Sequence, residues 1–538
     1  MGLRSLAGKI SQKRWQLISL GITLAALLAV GLFPRWTVDD AYIYYRYAEN
    51  WAQFGSPTWN IGQPPVEGYT GIGLLAALAA GIKLGISPIS LSHNIGIASY
   101  IGSLFLVVAI AAALGMSWRG RALALGLYIS SVVLFTHAWS GLETMLFLFS
   151  LLLSLWLFIK ALQSPRRRIF YEILFIIEAL AVSLVRPEGI VWSATIFLFY
   201  CISYVKEKKW KQSARFIIQA MLLYALPFGL YYLWRYDYYG TLLPNTFYVK
   251  TVSSLSLVTA MEAARFLLRY FGAPMVVALI WCLVEADQLA LYWRSKQSSI
   301  KWWSMLYSGG AMASFCALLL LQYSRSHLTM NYAYRFYIPF LPLFWFGLAF
   351  LIDQGVETLE RAAPHKTIRS RLLIIVSFLL VIYQLVFAGL KFKEEWLFAS
   401  NEQAMLAAEH IAVGNFLRSV LPSHEWLVVY IDAGAIPYFS KLKTVDFGGL
   451  NDAALARGQL SAAERVNYLF AHNPGAIVIT STEADKLSYG EEPEAIIKDA
   501  RFIKNYSLAQ KFLAPPSIKQ NYHEFVYIRN DLADKPQK

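Results

Sequence analysis

Eleven apolar stretches fill most of the first 390 residues of this 538-residue chain, each close to the about twenty residues that a helix needs to cross a bilayer. They lie near 15–33, 94–116, 121–138, 142–161, 169–185, 187–205, 213–234, 263–284, 302–322, 335–352 and 371–390. Only 15% of the residues are charged, against about 25% in a soluble globular chain. The chain therefore reads as a polytopic α-helical membrane protein. Its net charge of +14 does not indicate a nucleic-acid partner. The basic residues sit in short loops between apolar runs, where membrane orientation accounts for them. The basic start MGLRSLAGKISQKRWQ precedes the apolar run Leu17–Phe33, and no small-residue cleavage site follows it. An uncleaved first span with its amino end in the cytoplasm is expected. Cys201, Cys282 and Cys316 lie in or beside apolar runs without CxxC spacing, which predicts packing roles.

The run 70–86 decides the topology. It is apolar but short and Gly-rich, with Pro64, Pro65 and Pro88 at its flanks. If it crossed, the basic clusters Trp118–Arg121, Arg166–Arg168, Lys206–Lys211 and Arg294–Lys301 would all face outside, against the positive-inside tendency. It is therefore expected to lie along the membrane surface, leaving 11 spans. The outer segments are then 34–93, 138–141, 185–187, 235–262, 323–334 and everything after 390. They hold nearly all the loop residues suited to chemistry. From Lys391 the composition becomes that of a soluble domain of about 150 residues. Apolar, β-branched runs at 425–431, 442–447, 476–480 and 525–529 alternate with helical patterns at 401–420 and 462–471. The expected organisation is a membrane core over 1–390, with a catalytic outer loop at 34–93, and an α/β extracytoplasmic domain over 391–538.

The first outer loop begins with two adjacent carboxylates, Asp39 and Asp40, followed by Tyr42, Tyr44, Tyr45, Arg46 and Tyr47. A Pro-Pro turn then leads to Glu67-Gly68-Tyr69-Thr70. Acids at a helix end often only complement the helix dipole. A partly desolvated carboxylate is also more basic, as a general base taking a hydroxyl proton must be. Glu143 and Arg186 belong to short outer turns, while Asn245, Tyr248 and Lys250 belong to the second aromatic outer segment. Arg325, His327 and Arg335 complete an outer cationic set. Arg186, Lys250 and Arg335 are candidate contacts to a phosphate, whose developing charge cations stabilise. Tyr42, Arg46, Glu67, Tyr69, Glu143, Asn245, Tyr248 and His327 are the expected substrate cleft. Carboxylates and cations on one side of a membrane suit a lipid-phosphate-linked sugar and a hydroxyl acceptor. No P-loop, strand-linked GxGxxG or HExxH motif competes with that chemistry.

Taken together, DDAYI (39–43), VEGYT (66–70), SGLET (140–144), RPEG (186–189), LPNTFYVK (243–250), YRF (334–336), DAGAIPY (432–438) and GLND (449–452) resemble bacterial GT-C glycosyltransferases. The resemblance extends to the type that includes the terminal arabinofuranosyltransferase of cell-wall arabinan synthesis, and it spans almost the whole chain. It implies a GT-C multi-pass core with an outer carboxy-terminal domain. It also implies inverting transfer from a polyprenyl-phosphate sugar to a cell-surface glycan or glycoconjugate at the outer face of the cytoplasmic membrane. Asp39 or Asp40 takes the base position, with Asp39 slightly ahead. The acid pair permits a divalent cation without requiring one, and no other cofactor is implied. A flippase or transporter of lipid-linked sugars, or a lipid-linked oligosaccharide polymerase or ligase, remains as the alternative. The carboxy-terminal domain is short for the family, which leaves the sugar open.

Overall fold

The computed structural model describes residues 2–250, 257–284, 300–326, 328, 330–362, 368–488, 491–516, 518 and 522–533. The expected site residue His327 and most of the basic loop Arg294–Lys301 lie outside them. The core is an assembly of long helices. Among the described residues, eight are long and apolar enough to cross a membrane: Gln12–Leu32, Pro88–Ala113, Thr144–Gln163, Glu188–Lys206, Trp210–Tyr239, Leu257–Ile280, Ile300–Tyr323 and Tyr332–Glu357. Trp118–Ser130 and Val133–Trp139 together make a ninth, bent by 64°. The stretches 169–185 and 371–390 are helical, as Arg168–Val185 and part of Ile368–Leu406, but neither belongs to that set. Length and composition thus support eight or nine of the eleven expected spans.

Two helices follow the first helix in order. With α1 as Gly2–Leu32, α2 is Asp39–Phe54 and α3 is Ile72–Lys83. The 12 residues of α3 rise about 18 Å, well short of the about 30 Å hydrocarbon core. Residues 70–86 therefore do not contain a spanning helix. Gly141 turns the chain from Val133–Trp139 into Thr144–Gln163 with φ +81°, and a Cβ there would meet Tyr45 Oη at 2.4 Å. Only glycine allows both that left-handed backbone and that approach.

The helix Ile368–Leu406 is 39 residues long and runs directly towards the carboxy-terminal domain, so the composition change at 391 falls inside an unbroken helix. Beyond it, five strands form one sheet in the order β2-β1-β3-β5-β4. They are β1 (Trp426–Val429), β2 (Lys443–Asp446), β3 (Ala476–Ser481), β4 (Tyr506–Leu513) and β5 (His523–Arg529). β1 pairs in parallel with β2 and β3, whereas β5 is antiparallel to β3 and β4. Alternation along β1 sends Leu427 and Val429 into one core and Val428 into the other. Four strands match the expected runs. The edge strand β4 was not foreseen, because its sequence YSLAQKFL is mostly exposed and lacks an apolar face.

Arg46 pins this domain to the segment between the first helix and α3. Its guanidinium donates to the carbonyls of Trp59, Pro437 and Leu442 at 3.0, 2.7 and 2.8 Å and to Asn60 Oδ1 at 3.0 Å. It also stacks on Trp59 at 4.4 Å. Asn60 and Thr444 exchange two further hydrogen bonds of 2.9 Å. Tyr42 packs on Tyr438 and Phe439. The domain is thereby clamped onto α2, directly above the acid pair.

Candidate active site

Asp39 and Asp40 occupy the first turn of α2, where negative charge complements the helix dipole. One residue of helical rotation separates their surroundings completely. Asp39 turns toward the carboxy-terminal domain. Its Oδ1 accepts from His410 Nδ1 and from the Ala435 amide, and its Oδ2 accepts from the Gly434 amide, all at 2.9 Å. Gly434 is required there, since a Cβ would lie 2.1 Å from the Asp39 carbonyl oxygen and 2.3 Å from Oδ2. Burial pushes the Asp39 carboxyl upward, but His410 and the two amides outweigh it and hold the group below its usual value.

Asp40 turns the other way, into a small cavity lined by Tyr44, Tyr69, Thr70, Glu143, Lys250 and Arg335. Arg335 Nη1 is 3.8 Å from Asp40 Oδ2, close enough for attraction and too long for a hydrogen bond. Burial raises the Asp40 pKa; Arg335 and Lys250 draw it back, while Asp39 and Glu143 add to the rise. Arg335 is 7% exposed, and its Nε and Nη1 have no hydrogen-bond partner. Two buried donors are therefore left aimed at whatever enters the site.

The cavity continues into a groove of about 330 Å³ between the helices Glu188–Lys206 and Ile300–Tyr323. Lys250, Arg335, Glu143, Thr70 and Thr246 border both spaces. Ile190, Val191, Leu243, Phe247, Leu328 and Phe336 make the groove wall mainly apolar. A charged head and an apolar trough thus share one opening.

All three expected cations border the groove. Lys250 and Arg335 also face the cavity, whereas Arg186 is engaged by Glu188 at 2.6 and 3.2 Å and lies 3.6 Å from Glu143. Tyr323 donates to Glu188 at 2.9 Å and completes that buried network. Arg186 is thus a neutralised strut at the rim. The expected cleft is also reduced. Tyr69 and Glu143 line the cavity, whereas Tyr42 and Arg46 belong to the domain clamp. Glu67 is tied to Arg235, whose Nε donates at 3.1 Å, and accepts through its carbonyl from the Asn245 amide at 3.1 Å. Tyr248 stands outside both spaces, edge-on to Phe247. Tyr44 and Tyr47 hold the loop instead of walling a large cleft. Tyr44 Oη accepts from the Thr70 and Gly71 amides, and Tyr47 Oη accepts from Gly68 and donates to the Val66 carbonyl. An ordered polar loop needs such partners for its buried amides.

Arg235, His410 and Leu450 were missed in the sequence. Arg235 followed an apolar run, His410 sat in an ordinary helical pattern, and Leu450, which lines the cavity, carried no chemical signal of its own. The GLND motif around Leu450 was the available clue. A metal held jointly by Asp39 and Asp40 does not fit the geometry, because three donors occupy Asp39 and two cations face Asp40. Among the described residues, the group able to hold an ion is Asp39, His410 and Asp432.

Known structures share this architecture. ArnT from Cupriavidus metallidurans in the apo state superposes with a TM-score of 0.56 at 13% identity, covering 98% of this chain and 100% of that one. The same enzyme bound to undecaprenyl phosphate gives 0.58 at 12% identity over 97% and 99%. The chain has a GT-C fold. The archaeal oligosaccharyltransferase AglB from Archaeoglobus fulgidus, in complex with an inhibitory peptide and a dolichol-phosphate, gives 0.52 at 12% identity, covering 96% of this chain and 75% of that one. Residues 398–528 match a family model described as a domain of unknown function, DUF8728. No curated protein matches the chain.

Proposed function

We propose that this protein is a glycosyltransferase that moves a sugar from a polyprenyl-phosphate donor to a hydroxyl of a cell-surface glycan or glycoconjugate. The observation that carries the proposal is Asp40 facing Lys250 and Arg335 in a cavity that opens into an apolar groove. The groove suits a lipid chain and the two cations suit its phosphate, while Asp40 suits the acceptor. The GT-C fold shared with ArnT and AglB agrees with that assignment.

In the proposed reaction, Asp40 takes the proton of the acceptor hydroxyl. The freed oxygen attacks the anomeric carbon from the side opposite the phosphate. The anomeric carbon–oxygen bond breaks, and its electron pair leaves on the polyprenyl phosphate, whose negative charge Lys250 and Arg335 stabilise. One displacement of this kind inverts the anomeric configuration. Asp39 fastens the start of α2 to the carboxy-terminal domain and leaves Asp40 free. The membrane concerned is the cytoplasmic membrane, with the acid pair and the carboxy-terminal domain on its outer face, as the basic loops favour. The sugar of the arabinofuranosyltransferase type is one member of the donor class.

The deciding experiment is transfer of labelled sugar from a panel of polyprenyl-phosphate donors by the purified protein, followed by anomeric analysis of the product. Single-sugar addition with an inverted linkage that disappears in Asp40→Asn supports the assignment. Transfer undiminished in Asp40→Asn, or lipid-linked sugar crossing vesicles without transfer, overturns it.

A further inference from the structure

A second cluster of chemistry-bearing side chains lies behind Asp39, at the joint between the membrane core and the sheet domain, and the proposed transfer reaction does not use it. His410 sits in the π-helical turn Ala407–Ile411 that ends the long helix. Asp432 follows β1. Glu524 on β5 pairs in register with Thr480 on β3, and the Thr480 hydroxyl lies 2.8 Å from Asp432 and 3.3 Å from Glu524. Tyr522 donates to Asp432 at 2.7 Å. Glu409, beside His410, is buried in the same place.

The charges of this cluster do not balance. Asp39, Asp432, Glu524 and Glu409 surround a single imidazole that can carry charge. His523 reaches to 4.0 Å from Glu409 with Nδ1, but that nitrogen accepts from the Ala514 amide, so it brings no proton to Glu409. Glu524 and Glu409 are both 0% exposed, and Glu524 Oε2 and both Glu409 carboxylate oxygens have no hydrogen-bond partner.

His410 supplies an independent indication of what is missing. It is 7% exposed and its Nε2 has no hydrogen-bond partner. Asp39 accepts the proton on Nδ1, which leaves the lone pair on Nε2, directed at Asp432 Oδ1 and Glu524 Oε1, each 3.7 Å away. These distances are too long for hydrogen bonds. They are close to the about 3.3 Å between donors of a tetrahedral ion with bonds of about 2.0–2.1 Å. A carboxylate fixing the far nitrogen of a ligating histidine is the usual outer support of such a site.

We infer that His410 Nε2, Asp432 and Glu524 bind one divalent transition-metal ion, with Asp39 as the carboxylate that orients His410. One imidazole nitrogen with carboxylate oxygens suits Zn²⁺ or Mn²⁺ better than Ca²⁺ or Mg²⁺, which prefer oxygen alone. The ion joins the helix from the membrane core to β5 and to the loop after β1 in the sheet domain. It thereby fixes the start of α2, from which Asp40 projects. This role is independent of which sugar is transferred, and of whether any is.

The full-length protein, purified in detergent without chelator, is assayed for metal by mass spectrometry. It is then stripped and titrated with Zn²⁺, Mn²⁺ and Co²⁺ while thermal unfolding and the visible Co²⁺ spectrum are followed. The expected result is about one ion per chain, a Tm that falls on stripping and recovers on Zn²⁺ or Mn²⁺ addition, and a Co²⁺ ligand-field band. Glu524→Gln and His410→Gln lose the ion and the band, and Asp40→Asn keeps both. A wild-type protein with no bound metal, no Co²⁺ band and a Tm indifferent to stripping overturns the inference and leaves protons as the balancing charge. Loss of metal in Asp40→Asn with retention in Glu524→Gln also overturns it, by placing the ion in the cavity. The wild-type titration alone decides the matter if the variants do not fold.

Discussion

Asp40 and Arg335 face each other at 3.8 Å without a hydrogen bond. The acid keeps an unsatisfied partner, and two nitrogens of the arginine stay without one. Such a pair is poor at stabilising a fold and well placed to receive a substrate between its members.

Asp40→Asn is expected to reduce transfer by about 10²–10⁴-fold, the usual contribution of a positioned base, with donor binding retained. The same change is expected to raise the Tm. Burial, with its neighbours, holds the Asp40 pKa above the usual 3.8, so its charged form costs stability at neutral pH. A transfer assay beside a melting curve checks both parts, and an Asp40→Asn protein that is both active and less stable contradicts them.

Lys250→Gln and Arg335→Lys are expected to weaken transfer by about 10²–10³-fold while leaving the fold intact, because these groups face the cavity. Arg186→Lys is expected to act differently. It strands Glu188 and Glu143 in a buried network and should lower the Tm by more than either of the other changes. Donor-binding isotherms and melting curves for the three variants separate the roles.

Arg46→Met removes four hydrogen bonds, two of which, to the Pro437 and Leu442 carbonyls, join α2 to the carboxy-terminal domain. Losing these charge-assisted bonds is expected to cost about 3 kcal/mol or more. Gly434→Ala should have a comparable effect through its clash with Asp39. Limited proteolysis of either variant is expected to release the sheet domain faster than in the wild type, as read on a gel time course.

Two pH limits follow from the acid pair. The base must be ionised, so kcat/KM is expected to fall as pH drops through a value above the usual carboxylate pKa of 3.8, the direction in which Asp40 is shifted. Asp39 is shifted down, so its contribution to stability is present above 3.8 and is lost as pH falls through its lower folded value. Melting temperatures across the acid range are expected to show this loss, and Asp39→Asn should flatten it.

The sequence by itself determined the membrane class, the lack of a spanning-length helix in residues 70–86 and four of the five strands. Each of these follows from hydropathy, loop charge or β-branched runs, which act over a few neighbouring residues. It also brought forward Asp39, Asp40, Lys250 and Arg335, because charge at a membrane surface is conspicuous. Tertiary structure decided which of them face the cavity. Asp39 and Asp40 are neighbours in the chain, yet the rotation of one helical residue sends Asp39 to His410 and Gly434, about 370 to 400 positions away, and leaves Asp40 in the cavity. Arg186 looked like Lys250 and Arg335 until Glu188, Glu143 and Tyr323 closed around it. The partners that neutralise or release a charge come from distant segments. No local pattern encodes them, and they set the role of each charged group in the site.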